Sequence, residues 1–444
     1  MMRSTCFRDF IKYTALNVMG MIGLSCYLLA DTFFVSKGLG ANGLTALNLA
    51  IPVYSFIHGS GLMVGIGGGA RYAIHKSRKE QEAASRVFTN AVYLAAAFAV
   101  FFLLAGFFLT GAIISLFGAD ESVFSMSKTY LQVIFLFAPA FLMNNVLLCF
   151  VRNDGAPQLA MAAMVGGSLS NVVLDWVFIF PCRMGIFGAA FATGLAPVIS
   201  LLILSIHFVR RRNSFHFAKG RPEGRLSAGI LAGGVPSLVA EASSGVTMIV
   251  FNSLILNLEG NVGVAAYGVI ANLSLVIMAV YTGIAQGIQP ILSQSCGRRD
   301  FRSIRATLRY ALTAMLVLSA VTYAAVFFGA PRIAGIFNSE QNPLLQKIAS
   351  EGLRLYFIAC PFAGFNLIAA MYFTSTERPR PAHILSVLRG FVILVPMAFA
   401  LSRAGMHGVW CAFPATEGLA AVVGLLFFAF LRKRQGEPPA PAKP

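Results

Sequence analysis

The sequence predicts an all-α integral membrane protein with twelve transmembrane helices in two parallel six-helix repeats. Three observations carry this prediction. The 444 residues are 57% hydrophobic and only 11% charged, too little charge to cover a soluble chain of this length. The apolar residues run in long blocks rather than amphipathic stripes: Ala91 to Phe117 holds no charged residue, and about 20 such residues cross a hydrocarbon core. Finally, glycines and a proline recur at a nearly constant offset between the two halves, as Gly43 with Gly263 and Pro139 with Pro361.

In chain order the apolar blocks place spans at 13–36, 44–67, 88–117, 126–150, 158–181, 186–209, 231–256, 264–291, 306–329, 352–374, 383–402 and 407–430. Turn and polar residues separate them, as at Asn153-Asp154-Gly155 and Glu377-Arg378-Pro379. Arg3 and Arg8 precede the first block, but that block is long and contains Asn17 and Asp31. It reads as a retained span and not as a removed signal.

The termini and the even-numbered loops hold 26 of the 34 Lys and Arg, the odd-numbered loops 7, and Arg389 alone lies deep within a span. By the positive-inside rule both termini are cytoplasmic in a cell (inner or plasma) membrane. The same bias accounts for the net charge of +17. Arg210-Arg211-Arg212 and Arg432-Lys433-Arg434 then read as topology signals and contacts to anionic lipid headgroups, not as a nucleic-acid surface. The Pro-rich residues after Arg434 are expected to be disordered. The seven cysteines are scattered, without a CxxC pair or Cys/His cluster, so neither a metal site nor a disulfide framework is expected.

One shift of the chain against itself pairs Gly61 with Gly283, Gly65 with Gly287 and Pro139 with Pro361. A slightly shorter shift pairs Gly43 with Gly263, Gly185 with Gly405 and Gly188 with Gly408. Six spans per half is an even number, so both halves enter the membrane from one side. The repeat is therefore parallel, a symmetry used by transporters that rock one half against the other. The expected organisation is a first lobe over 1–210, a basic linker over 211–229, a second lobe over 230–432 and a disordered tail over 433–444.

Ionisable groups inside the hydrocarbon are costly and therefore candidate sites. Asp31 lies as far past position 13, the start of span 1, as Asp175 lies past position 158, the start of span 5, to within a single position. Both carboxylates are therefore at one level. Asn171 is one helical turn from Asp175 on the same face, and Thr193 in span 6 falls at a similar depth. Asn144 and Asn145 in span 4 lie deeper. Such a group can share a proton, because like charges in low dielectric raise at least one carboxyl pKa. It can equally hold a hard cation such as Na+ through oxygen ligands. A merely structural pair of capping acids should recur in both halves. At the two shifts the counterparts of Asp31, Asn171 and Asp175 are Ser253, Ile393 and Met397, or Phe251, Phe391 and Val395. Glu241 and Glu417 fall near mid-membrane and, with Asn144, Asn145, Gln286 and Gln289, are candidates to line a substrate cavity; buried Glu or Gln packing as interhelical glue is the alternative.

Two motifs mislead. Gly65 to Gly69 imitates a nucleotide loop, but no strand or βαβ unit surrounds it. The six histidines are isolated, and neither a nucleophile elbow nor an HExxH pattern occurs. No enzyme or ATPase is expected, so transport would be driven by an ion gradient, with no cofactor.

At this point the chain resembles the multidrug and toxic compound extrusion (MATE) family in its DinF/MepA-like branch. The resemblance covers residues 10–432 and rests on five segments: Ala30-Asp31-Thr32-Phe33-Phe34-Val35 with Gly38 and Gly40; Arg152-Asn153-Asp154-Gly155-Ala156-Pro157; Ser170-Asn171-Val172-Val173-Leu174-Asp175; Gly234-Val235-Pro236-Ser237; and Gln289-Pro290 with Gly297. It implies a V-shaped pair of six-helix bundles exporting cationic or amphiphilic compounds in exchange for H+ or Na+. It maps a first-lobe cation site, Na+ included, onto Asp31, Asn171, Asp175 and Thr193, the four residues that depth selects. Glu241 resembles the seventh-span Glu of the NorM-like branch. That branch also has an Asp in span 10, and none lies between 352 and 374. The implied partners are small-molecule substrates and membrane lipids, with no nucleic acid, and a monomer is expected. A lipid-linked oligosaccharide flippase of the same superfamily is the first rival, and would need a more cationic cavity. A membrane receptor or enzyme without transport is the second.

Overall fold

The computed structural model describes residues 2–117, 120–338 and 341–436. They form twelve helical spans: α1 (Cys6–Gly40), α2 (Asn42–Ser77), α3 (Gln81–Phe108), α4 (Glu121–Leu136 bent into Ala138–Asn153), α5 (Pro157–Ile179), α6 (Gly185–Val209), α7 (224–259), α8 (261–297), α9 (Phe301–Phe337), α10 (Pro343–Ser375), α11 (Pro379–Ser402) and α12 (Gly405–Gly436). By length and hydropathy ten described helices can cross a membrane. The two limbs of α4, bent by 47°, add another, and the helix Gly224–Gly297 carries two, divided at Gly260. The protein is an integral membrane protein with the twelve spans that the apolar blocks predict. Its helices run past the predicted ends because cap residues beyond the hydrocarbon close them: Asp120, Asp300 and Asn342 accept from the first-turn amides of α4, α9 and α10.

Backbone breaks repeat as the sequence does. Gly40 and Gly260, which the shorter shift superimposes, have φ of 67° and 62° and turn α1 into α2 and α7 into α8. Only glycine takes that conformation without strain. Gly185 and Gly405 open α6 and α12 with φ of 61° and 72°. Pro139 and Pro361 follow breaks in their helices, the first at Phe137 and the second as a 3-10 turn over Phe357–Ala359, because proline cannot donate to the preceding turn.

Each half has its own core. One buried cluster draws on Val35 to Ile230, the other mainly on Phe251 to Ala412. The second reaches across to Phe10, Leu62, Ile66 and Cys149, so the lobes meet along α1, α2 and α4. Glycine allows that meeting. A Cβ on Gly67 would lie 2.0 Å from the Ile230 carbonyl oxygen, and one on Gly234 would lie 1.8 Å from that of Met63. Gly283 and Gly287 bring α8 equally close to Val18 and Thr14 of α1.

The segment between the lobes is docked. Phe215 is fully buried against Phe88, Phe150, Tyr72 and Phe208. The buried polar residues of α3 satisfy its backbone: Thr89 Oγ1 accepts from Ala218 N at 2.9 Å and Asn90 Oδ1 from Glu223 N at 2.8 Å. Asp154, just past α4, accepts from Tyr72 Oη at 2.6 Å, His207 Nε2 at 2.8 Å, Ser214 N at 2.8 Å and Lys76 Nζ. Burial would raise its pKa, yet the bonds from His207, Lys76, Tyr72 and Ser214 favour the charged form and hold it at about 2. A depressed carboxyl contributes stability that is present above the unfolded value of about 3.9 and is lost as pH falls towards 2. Asp154→Asn leaves Lys76 unpaired against a buried neighbour and is expected to destabilise the first lobe by about 3 kcal/mol, read as a lower unfolding temperature in detergent at neutral pH.

The tail expected to be disordered over 433–444 lies outside the described residues from Glu437 onward. The backbone of α12 remains helical to Gly436.

Candidate functional site

Asp31 on α1, Asn171 and Asp175 on α5 and Thr193 on α6 converge in the first lobe, all buried. The Asp31 and Asp175 carboxyls approach within hydrogen-bonding reach of each other. With its amide turned so that nitrogen faces Asp175, Asn171 donates to Asp175 Oδ2 at 3.0 Å and accepts from Thr193 N at 3.2 Å. Thr193 Oγ1 donates to Ala189 O at 3.1 Å, and the Tyr130 hydroxyl of α4 reaches the Thr193 side chain. The second oxygens, Asp31 Oδ1 and Asp175 Oδ1, have no partner among the described residues. Neither acid has a salt bridge to a Lys or Arg there. Two buried carboxyls without a countercharge are stable only if a proton or a cation joins them, and the unpartnered oxygens are where either would sit.

The second-lobe acids part company. Glu417 on α12 is 1% exposed and is bonded on both oxygens. Arg389 of α11 grips Oε1 through Nε at 3.0 Å and Nη2 at 2.7 Å, and Asn366 Nδ2 of α10 donates to Oε2 at 2.7 Å. Arg389 stands in a π-helical turn, Leu388–Val392. No basic neighbour of Glu417 is visible in the local sequence, because the pair forms across two helices. Glu417→Ala leaves Arg389 uncompensated and is expected to lower stability by about 3–5 kcal/mol, whereas the double replacement of Glu417 and Arg389 by Met should be near neutral; thermal unfolding of the three proteins tests this.

Glu241 on α7 remains open. Its side chain is 34% exposed, and its Oε2 lies 3.7 Å from His58 Nδ1 of α2. At this level α2 and α7 remain packed, with Gly59 facing Glu241 Cβ. The pair lies at one edge of the contact between the lobes, with the Glu241 carboxylate accessible. Asn145 supports that edge, donating to Phe141 O at 3.1 Å and His58 O at 3.5 Å. Asn144 is half-buried, with Oδ1 unpartnered among the described residues.

Gln286 and Gln289 lie in a polar seam that joins the lobes on the side of the termini. Arg152 Nη1 donates to Asn17 Oδ1 at 2.5 Å and Gln286 Oε1 at 3.2 Å, and Asn17 Nδ2 donates to Gly283 O at 3.0 Å. Asn153 Nδ2 donates to Gln289 Oε1 at 2.9 Å. Depth along a single helix located the acids but not this seam. Arg152 counts as a loop cation by position, and its burial follows only from the approach of α8. The aromatic partners of the first-lobe site, Tyr27, Tyr54 and Tyr130, look like ordinary span residues in the sequence. A tyrosine one turn from a membrane aspartate, as Tyr27 is from Asp31, was the available signal.

The fold as a whole has counterparts among known proteins. The family model described as MatE matches residues 18–177 and 236–400. The multidrug export protein MepA of Staphylococcus saprophyticus is 24% identical over 435 residues, covering 97% of this chain and 95% of the relative. MepA of Staphylococcus aureus strain MRSA252 is 24% identical over 439 residues, with the same coverage. Among solved structures, an outward-facing conformation of a multidrug resistance MATE family transporter of the MOP superfamily superposes with a TM-score of 0.89 at 25% identity, covering 95% of each chain. A MOP superfamily transporter from Pyrococcus furiosus, described as having a binding pocket of reversed polarity, gives 0.90 at 25% identity, covering 97% of this chain and 96% of its own.

Proposed function

Because the chain belongs to the MatE family, a family of multidrug efflux transporters and not of enzymes, we propose that it is a secondary antiporter exporting cationic or amphiphilic organic compounds in exchange for H+ or Na+. The observation that carries the antiport reading is the Asp31/Asp175 pair, buried without a salt-bridge partner among the described residues and with an unpartnered oxygen on each acid. An ion entering from the side opposite the termini neutralises the pair. Neutralisation removes the repulsion between α1 and α5 and reorders the Asn171, Thr193 and Tyr130 bonds, so the first lobe repacks and its substrate leaves. The ion thereby favours one of two packings, which is all that a coupling ion can do.

Alternating access then requires the seam to part. The contacts of α1 and α4 with α8 and of α2 with α7 lie on the side of the termini, which the positive-inside bias makes cytoplasmic. They support an outward-facing state, and the inward-facing state exposes Arg152 and Asn17 to the cytoplasm. A substrate cleft between the lobes would seat a cationic substrate at the accessible Glu241, with the stacked Tyr54 and His58 rings beside it for amphiphiles. The flippase reading is weakened because the deep cation Arg389 is committed to Glu417.

The test is export of a cationic dye from proteoliposomes under an imposed pH or Na+ gradient. Gradient-dependent export supports the reading; a protein that moves no dye under either gradient refutes it.

A further inference from the structure

Between the accessible Glu241 and the buried acid pair stands a series of titratable side chains. Asp31 and Tyr27 are one turn apart on α1, and both are buried. The Tyr27 and Tyr54 hydroxyls are 2.9 Å apart, joining α1 to α2. Tyr54 and His58 are one turn apart on α2, their rings stacked at 5.8 Å and 15°. His58 Nδ1 then lies 3.7 Å from Glu241 Oε2 across the lobes. Tyr54 is within electrostatic reach of Asp31 at one end and Glu241 at the other. On the α4 side Phe141 packs edge-on against it at 5.4 Å, and Tyr130 lies within electrostatic reach. The titratable groups facing the line are therefore Asp31 of α1, Tyr130 of α4, Asp175 of α5 and Glu241 of α7.

We propose that His58, Tyr54 and Tyr27 are the proton route between Glu241 at the cleft and the Asp31/Asp175 pair. This rests on the antiport reading above and selects H+ as the coupling ion. A hydronium ion at the cleft gives a proton to His58 and is left as water, and the charged imidazole forms 3.7 Å from the Glu241 carboxylate. His58 passes a proton through a cleft water to the Tyr54 oxygen while Tyr54 gives its own to Tyr27. Tyr27 in turn gives its own to the Asp31 carboxylate. Both hydroxyls end with one proton each, and the net change is one proton moved from the cleft to Asp31. A cationic substrate seated at Glu241 removes the carboxylate that stabilises the His58 imidazolium. Substrate and proton thus exclude one another at the cleft end of the route as well as at the buried pair.

The full-length protein in proteoliposomes with a trapped pH-sensitive dye tests the route, reading proton movement driven by a gradient of a cationic substrate. Tyr54→Phe, Tyr27→Phe and His58→Gln keep the packing. Each is expected to cut substrate-driven proton flux roughly 10- to 100-fold; in the two tyrosine variants equilibrium substrate binding at fixed pH stays close to the parent's, and in His58→Gln binding loses its dependence on pH. Loss of binding in parallel with flux would make the residues merely structural and overturn the proposal. Full flux in all three variants, with Asp31→Asn inactive, overturns the route and leaves the antiport standing. Parent flux that follows Na+ and moves no proton does the same. Full flux in Asp31→Asn overturns both.

Discussion

Asp175→Asn is expected to abolish gradient-driven export and, at the same time, to raise thermal stability. Asn has the size of Asp and can keep a hydrogen bond to Asn171, whose amide faces Asp175 Oδ2 at 3.0 Å. What it removes is one of two carboxyls that face each other without a partner for their second oxygens. If the acid were a structural cap, its loss would destabilise the lobe. If it is a coupling group, the protein carries it at a cost to stability, and neutralising it relieves that cost, by about 1–3 kcal/mol on the scale of buried uncompensated charge. Export under an imposed gradient should fall by about 100-fold or more, with the protein still inserted and folded. Dye flux in proteoliposomes and unfolding temperature in detergent, measured on one preparation, decide the matter. Lower stability with retained flux would assign Asp175 to the scaffold.

The second large effect is expected at a residue with no chemistry. Gly234→Ala places a methyl group 1.8 Å from the Met63 carbonyl oxygen, on backbone that has no side chain to move aside. The α2–α7 contact must open, and with it the adjoining seam of Arg152, Asn17 and Gln286. Overpacking of this kind costs typically about 1–3 kcal/mol, enough to shift a two-state equilibrium roughly tenfold or more towards the parted seam. Cys149 reports the change. It is buried under the seam beside Arg152 and packs with the second-lobe core. Its reaction with a small maleimide, followed site by site by mass spectrometry, should accelerate about tenfold in Gly234→Ala. An unchanged rate would place the gate elsewhere.

Much of this was legible in the chain. Apolar blocks of span length locate twelve helices because a bilayer leaves the backbone no other partner for its N–H and C=O groups. The duplication was visible in the glycines and prolines because those positions serve the backbone: Gly40 and Gly260 turn with positive φ, and Pro139 and Pro361 mark helix breaks. Asp31, Asn171, Asp175 and Thr193 could be picked out by depth because a membrane acid is costly wherever the chain goes.

Glu417 and Glu241 were not separable on those grounds. Both read as mid-membrane and both lack a local countercharge, yet one is bonded to Arg389 and Asn366 while the other is partly exposed beside His58. The difference depends on which helices become neighbours, and a one-dimensional depth contains nothing about the neighbour. The same holds for Arg152, a loop cation by sequence and a buried donor in fact, and for Tyr27 and Tyr54, whose hydroxyls meet across α1 and α2. Sequence alone determined the spans, the repeat and the depth of each acid, since each follows from the cost of polar groups in hydrocarbon. The tertiary structure decided which acids are paired, which are open and where the lobes meet, since those depend on the lateral packing of helices far apart in the chain.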